Sequence, residues 1–393
     1  MMSRQVKRAI GILIFSEFLI FLGHSMVIPV TPFLKNELHF TALDMGTMTA
    51  LFAFAQFIAS PIIGRISDRV GRKPILVAGL SLFMVSEFVF ALTNRLAMFD
   101  LSRLIGGLSA AMVGPTAMAM AADITSKRDR AKVIGWLSAA FSGGLILGPG
   151  IGGLLAQISY KTPFWVAAAL GLISTIFLFI LLPSEQQLGV ETSESGEDKQ
   201  SGDWHDLLTR PVIILFILIL TSAFGLAGFE SVYSLYVNEV FNFTLANIAL
   251  VLVLNGVGSL ILQVIFFDRL VQMLGERRLI RYCVALTFAG TIWNLVAHTK
   301  IEVILATLVV FCAIDILRPA ITTLLTKASD RNQGLINGLN MSLTSVGNII
   351  GPLMSGALLD INHQYPYMVV AGFMAVSYLI TFGLKPSAKQ KTA

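Results

Sequence analysis

The chain has 393 residues, of which 55% are hydrophobic and only 13% charged, and its mean hydropathy of +0.78 excludes an ordinary soluble globular protein. Its pI near 9.2 and formal net charge of +5 come from Lys and Arg gathered on one side of a set of apolar runs, so they require no nucleic-acid partner. The two cysteines, Cys283 and Cys312, fall inside such runs and read as small packed side chains, with no disulfide or metal site to assign.

Crossing a ~30 Å hydrocarbon core takes about 20 apolar residues. Twelve runs meet that length: 9–33, 45–64, 74–94, 97–122, 131–157, 161–182, 211–237, 244–267, 279–298, 301–326, 333–359 and 365–384. Arg4, Lys7 and Arg8 ahead of the first run have the look of a signal peptide, but the apolar stretch continues through residue 30 without a small-residue cleavage site, so it is expected to be the first span. With the N-terminus inside, the outer loops hold only Lys35, Arg95, Lys161 and Lys300 of the 28 Lys and Arg. Arg103 and Arg318 lie within spans, and the rest fall on the inner side, which predicts cytoplasmic termini at both ends.

Between the sixth and seventh spans the composition changes abruptly. SEQQLGVETSESGEDKQSGDWHD, residues 184 to 206, carries seven acidic residues and one Lys, too polar to fold alone, and reads as a cytoplasmic linker. The predicted organisation is therefore a six-helix bundle over 1–183, a linker over 184–210 and a second six-helix bundle over 211–393. An internal repeat agrees. GGLILGPGIGGLL at 143–155 is echoed by VGNIIGPLMSGAL at 346–358, with Pro149 and Pro352, like Gly135 and Gly338, 203 positions apart. An even number of spans separates the copies, so the halves share one orientation and form a parallel repeat, with a substrate site expected between them.

In chain order, the polar and special residues inside these spans carry the chemistry. Glu17 and His24 lie in the first span, Gln56 in the second, Glu87 in the third, Arg103 in the fourth, Glu230 in the seventh, and Asp315 with Arg318 in the tenth. A central Asp, Lys or Arg in a span costs about 2.5–3.5 kcal/mol on insertion scales, so each needs a compensating role. Asp315 and Arg318, three apart, share a helix face; they can neutralise each other as a structural pair or take part in proton coupling. Glu230 has no basic residue within one turn, and desolvation favours its neutral form, which suits a group that binds and releases a proton. Phe229, Tyr233 and Tyr236 form a stripe beside it, readable as packing or as a face for a lipophilic cation. Glu17 is expected to find an inner basic partner.

The loop GRISDRVGRK, residues 64 to 73, joins the second and third spans. Gly64 permits close helix approach, Asp68 can accept from a neighbouring helix N-terminus, and Arg69, Arg72 and Lys73 can pair with acids or lipid phosphates; a basic inner loop of no special role is the plain alternative. This loop resembles the signature of the major facilitator superfamily. Its second-half counterpart, DRLVQMLGERR at 268–278, is four residues longer between Asp268 and Gly275. GLILGPGIGGLL, residues 144 to 155, is similar to the fifth-span pattern GxxxGPxxGGxL of that superfamily's proton-coupled drug exporters. Physically, Gly144, Gly148 and Gly152 lie on one face and admit a close neighbour, while Pro149 permits a bend and Gly153 continues the pattern. LGHSMVIPVTP at 22–32 and DLSRLIGGLSAA at 100–111 resemble first- and fourth-span signatures of the same exporters, although Gly106 stands where their pattern has Gln. AGFESVYSLY and AIDILRPAIT extend the likeness, which covers nearly the whole chain and is nearest to multidrug and fluoroquinolone exporters of Gram-positive bacteria.

The resemblance implies an all-α membrane protein of twelve helices in two six-helix bundles, sited in a bacterial cell membrane as a monomer and exporting lipophilic or cationic small molecules in exchange for protons. It implies proton coupling by Glu230, Asp315, Arg318 and Arg103, and gating by Gly64, Asp68, Arg69, Gly71, Arg72, Gly144, Gly148, Pro149, Gly152 and Gly153. Substrate contacts would come from Gln56, Phe21, Phe141, Phe229, Tyr233 and Asn340. No cofactor beyond the proton motive force is expected, since the phosphate-cradling GxxxxGK[ST] loop is missing from the sequence. The alternatives are a transporter of a sugar or amino acid on the same fold, and a scaffold or sensor that moves nothing. A membrane enzyme would need clustered His, Asp or Cys, whereas the five His are scattered.

Overall fold

The computed structural model describes residues 4–183, 209–328 and 333–384; the linker expected at 184–210 lies, up to residue 208, outside them. Every described span is helical. The first span is α1 (Arg4–Ser25), a single 3-10 turn (Ile28–Val30) and α2 (Thr31–Leu38). Pro29 and Pro32 explain the break, because each removes a backbone donor yet suits the first turn of a new helix. Then follow α3 (Ala42–Val70), α4 (Arg72–Leu92), α5 (Leu96–Asp123), α6 (Lys127–Leu155) and α7 (Thr162–Leu181).

Local chemistry sets several of these ends. Thr41 and Asp44 close a reciprocal box at the start of α3, with each side chain accepting from the other's backbone N–H at 2.8 and 3.0 Å. Ser126 accepts from the Asp129 N–H at the head of α6. Between α3 and α4 stands Gly71 at φ 100°, a conformation a side chain would oppose.

The second half begins with α8 (Arg210–Phe241) and α9 (Leu245–Ile261), a π-helical turn (Leu262–Phe266) and α10 (Phe267–Leu274). It continues through α11 (Glu276–Val296), α12 (Lys300–Ala328), α13 (Gln333–Ile361) and α14 (Tyr365–Thr381). The four additional residues before Gly275 are thus taken up as helix, since α10 runs directly to a glycine at φ 72° that occupies the same joint as Gly71. Among the described residues ten helices are long and apolar enough to cross a membrane, and α14 is a shorter apolar one. With α12, they make the twelve-helix fold expected. Prolines at 61, 115, 149, 319 and 352 lie inside helices that continue through them, as neighbouring helices in a membrane bundle permit.

The chain divides into two compact units, Met1–Ser195 with Asn242–Gly256, and Gly196–Phe241 with Val257–Ala393. In the first, α1 packs on α6 and α7, and α4 on α5 and α7. In the second, α8 packs on α13 and α14, and α11 on α12 and α14. The same partners therefore recur six spans later. Each unit has an apolar core of its own: Leu13, Leu76, Leu80, Met120 and Leu137 in one, Leu215, Ile280, Leu317, Ile321 and Leu325 in the other. Leu154, Phe179, Ile180, Val264, Ile301 and Leu379 are exposed, the outward apolar surface that lipid covers.

Candidate functional site

In the second unit α8 and α12 bring three ionisable groups together. Glu230 lies within Coulombic reach of both Asp315 and Arg318, and Glu230 and Arg318 keep exposed surface while Asp315 is half-buried. Ser259, at the end of α9, donates its hydroxyl to the Asp315 carboxylate. Two acids thus lie in the field of one guanidinium. The nearness of Asp315 to Arg318 follows from their spacing, whereas that of Glu230 to Arg318 is tertiary, and only the folding of α12 onto α8 creates it.

The aromatic stripe lies elsewhere than expected. Phe229, Tyr233 and Tyr236 are fully or almost fully buried, with Phe229 against Phe311 at 5.4 Å and Tyr367 at 4.9 Å between ring centroids, and Tyr236 against Tyr367 at 4.6 Å. Tyr236 also donates its hydroxyl to the Asn294 carbonyl at 3.3 Å. These rings hold α8 to α12 and α14, and Phe229 and Tyr233 pack in the core rather than face a cargo beside Glu230. Their neighbour in sequence points the other way, because adjacent helical residues differ by about 100°.

In the first unit Arg103 on α5 donates to Glu87 on α4 at 3.0 Å, both nearly inaccessible. Its guanidinium also sits 4.5 Å from the Phe90 ring centroid. Beside this pair, Ser86 and Ser102 donate to each other's carbonyls at 2.8 and 2.9 Å, a clamp between the two helices. Sequence reasoning left Glu87 without a role; its position one helix before Arg103 in the same unit was the available signal. His24 lies within Coulombic reach of Arg103 and meets Phe52 in a tilted ring contact at 4.9 Å between centroids. Glu17 is buried with its Oε1 unpartnered among the described residues, so the basic partner expected for it is not seen there.

Of the other positions expected to contact cargo, Phe21 and Phe141 meet edge to face at 4.2 Å across α1 and α6, with Phe141 exposed. Gln56 is half-buried on α3. Asn340, on α13 of the second unit, donates its amide to Thr322 at 3.5 Å.

At the α3–α4 joint Arg72 is the hub. Its guanidinium reaches Asp68 at 2.5 Å, Ser67 at 2.6 Å and Asp123, the last residue of α5, at 3.1 Å. Asp68 therefore accepts from the side chain of the residue that begins α4, in place of the backbone N–H groups of a helix terminus. Asp123 was not foreseen; an acid closing the fourth span beside a basic loop was the clue. Arg69 is exposed. Gly64 also departs from expectation, since a Cβ there would meet nothing within 4 Å and no close approach occurs at it.

The glycine face of α6 behaves as read. A Cβ on Gly144 would stand 2.7 Å from the Leu22 nitrogen and 2.8 Å from the Phe18 carbonyl oxygen, one on Gly148 would run into the Ser25 hydroxyl, and one on Gly152 into the Met26 backbone. Ser25 in turn donates to the Gly144 carbonyl at 3.0 Å. Gly153 faces Ala249 and Gly150 faces Val253 on the opposite side of α6. In the second unit the echoing residues Gly347 and Gly351 receive Phe224 and Gly228 of α8, so one device seats α6 on α1 and α13 on α8.

The family profile described as Major Facilitator Superfamily matches residues 13–314 and 232–393. The chain is 40% identical to Multidrug resistance protein 1 of Bacillus subtilis (strain 168) over 382 residues, 97% of each chain. It is 36% identical to the Quinolone resistance protein NorA of Staphylococcus aureus (strain COL) over 393 residues, 98% of this chain and 99% of the relative. Among solved structures, a point mutant of the nucleoside transporter NupG superposes with a TM-score of 0.82 at 14% identity, covering 97% of this chain and 100% of that one. A bacterial homologue of the human lysosomal transporter Spinster, inward-facing and occupied, gives 0.81 at 13% identity, with 97% of each chain covered. At such identities these two structures speak for the fold alone.

Proposed function

Because this chain belongs to the major facilitator superfamily, whose members are multi-pass membrane transporters, we propose that it exports lipophilic and cationic drugs in exchange for protons by alternating access. The relatives named as multidrug and quinolone resistance proteins, matched over nearly the full length, support the cargo class. The observation that carries the coupling is the accessible group of two carboxylates and one guanidinium built by Glu230, Asp315 and Arg318. Such groups are expensive in a membrane and are kept for the traffic of ions or cargo.

In this mechanism Glu230 holds a proton while the site faces the outside and gives it up to the cytoplasm. The bare carboxylate then attracts a cationic drug, and on the return outward a proton competes for the same oxygen atoms and displaces it. Asp315 is the second carrier, Arg318 modulates both acids, and Arg103 serves the first unit. Phe21, Phe141, Gln56 and Asn340 contact cargo, while the Arg72 hub with Asp68, Arg69 and Gly71, together with the α6 seam through Gly144, Gly148, Pro149, Gly152 and Gly153, governs the change of access. The chain lies in a bacterial cell membrane with cytoplasmic termini, acts as a monomer and uses the proton gradient without a cofactor.

The test is efflux of ethidium and of a fluoroquinolone from energised cells, with and without a protonophore. Extrusion that stops when the protonophore is added is the expected result; extrusion indifferent to it, or none at all, overturns the proposal.

A further inference from the structure

At one end of the first unit is a recess of about 500 Å³ lined by Phe33, Asn36, Glu37, His39, Tyr160 and neighbouring residues. None of the residues assigned above lines it, although it adjoins the end of the α6 seam, where its lining residues Ala156 and Leu245 meet Gly152 and Gly153; its volume is within the range of sites for drug-sized molecules. Its walls are built rather than loose. Buried Pro32 and Leu34 anchor α2, and His39 closes that helix in a left-handed conformation with its N–H on the Lys35 carbonyl. The facing turn is tied by backbone bonds from Ala156 to Gly152 at 2.9 Å, Ile158 to Leu155 at 3.1 Å and Thr162 to Ser159 at 2.9 Å.

The chemistry of the lining is directional. Glu37 brings a carboxylate, and Phe33 and Tyr160 bring aromatic surface to the same space, the pairing that binds an organic cation through charge and ring face together. Burial and the nearby Glu37 carboxylate both push the Tyr160 phenol up, which keeps it a neutral hydroxyl. Lys161, the neighbouring cation, gives its amine to the Thr93 carbonyl at 3.1 Å and lies 5.9 Å from the Tyr160 ring centroid, so an incoming cation competes with it for that ring.

We propose that this recess is a second binding site for a planar aromatic cation, separate from the Glu230 group and held by Glu37 between Phe33 and Tyr160. It rests on the export reading only in being placed at the exit side, where Lys35, Arg95 and Lys161 mark the sparsely basic face. There it receives cargo after the Glu230 group has released it.

Photolabelling of the full chain in lipid nanodiscs with ethidium monoazide, followed by peptide mapping, tests this directly. Adducts are expected on the segments around 33–39 and 156–160, in the wild type and in Glu230→Gln alike. Glu37→Gln should reduce them roughly fivefold, and Glu37→Lys should remove them. Label missing from both segments, label unchanged in Glu37→Lys, or equal labelling by a neutral azidophenanthridine would overturn the proposal. Ethidium that labels the recess in a Glu37-dependent way but is not exported by cells would uphold the site while removing the export reading.

Discussion

Glu230 and Glu87 are both carboxylates in apolar helices, yet their surroundings assign them different work. Glu87 is spent on Arg103, in a dry pair braced by the Phe90 ring. Truncating one partner of such a pair leaves the other charge buried alone, which costs about 3–5 kcal/mol. Glu87→Ala should therefore lower the unfolding temperature in detergent markedly, and adding Arg103→Ala should restore part of the loss, a coupling that a double-mutant cycle measures. Glu230 is accessible and, like Asp315, lies in the field of Arg318. Glu230→Gln keeps size and hydrogen bonding but not charge, so it should abolish proton-driven accumulation of ethidium against its gradient with expression and fold unchanged. Protonophore-sensitive export at the wild-type level in that variant would reduce Glu230 to a structural acid. These acids were legible in the sequence because a charge in an apolar run stands out by its energetic cost alone. Their partners were not, since Arg103 and Arg318 reach Glu87 and Glu230 from other helices, and the buried stripe of Phe229 and Tyr233 looks the same in sequence whether it faces core or cargo.

Helix against helix, the seam between α6 and α1 depends on the absence of side chains. At Gly148 and Gly152 an added methyl has no room, since it would meet Ser25 of α1 or the Met26 backbone just after it, and overpacking of this kind costs about 1–3 kcal/mol. Gly148→Ala and Gly152→Ala should each lower thermal stability and slow transport. Gly114→Ala and Gly135→Ala, where a Cβ meets nothing within 4 Å, should leave both unchanged or gain slightly in stability, because alanine favours helix. Equal effects at all four positions in a thermal-shift series would show that the seam is not the cause. This face was readable from the four-residue spacing. Gly64 was misread by the same logic, because spacing reports which residues share a face and not whether a neighbour occupies it.

Over the whole molecule, the duplication was visible as an offset of 203 positions and reappears as matching helix partners in the two units. The Arg72 hub belongs to this scale, since it ties the α3–α4 joint to the end of α5 through Asp68 and Asp123. Partly exposed ion pairs add little to stability, about 0–1 kcal/mol, and under the proposed gating role they favour one arrangement over another. Asp123→Asn, like Asp68→Asn, should leave equilibrium binding of ethidium intact and reduce turnover. Binding that collapses while the protein stays folded would remove the gating role.

The unequal sum of charges around Arg318 has an electrical consequence. With both Glu230 and Asp315 ionised, two acids against one guanidinium carry one net negative charge, and a single proton or a single monovalent cation brings the group to neutrality. Under the proposed exchange of one for the other, the loaded carrier is neutral in either direction, and export of ethidium is blind to membrane voltage. A zwitterionic fluoroquinolone brings no net charge, so its exchange for a proton moves one charge across the field, worth about 2.3 kcal/mol per 100 mV. In vesicles clamped by potassium and valinomycin, the imposed potential should alter fluoroquinolone transport and leave ethidium transport at constant pH gradient unmoved. Voltage-sensitive ethidium transport would mean that a further charge travels with the proton.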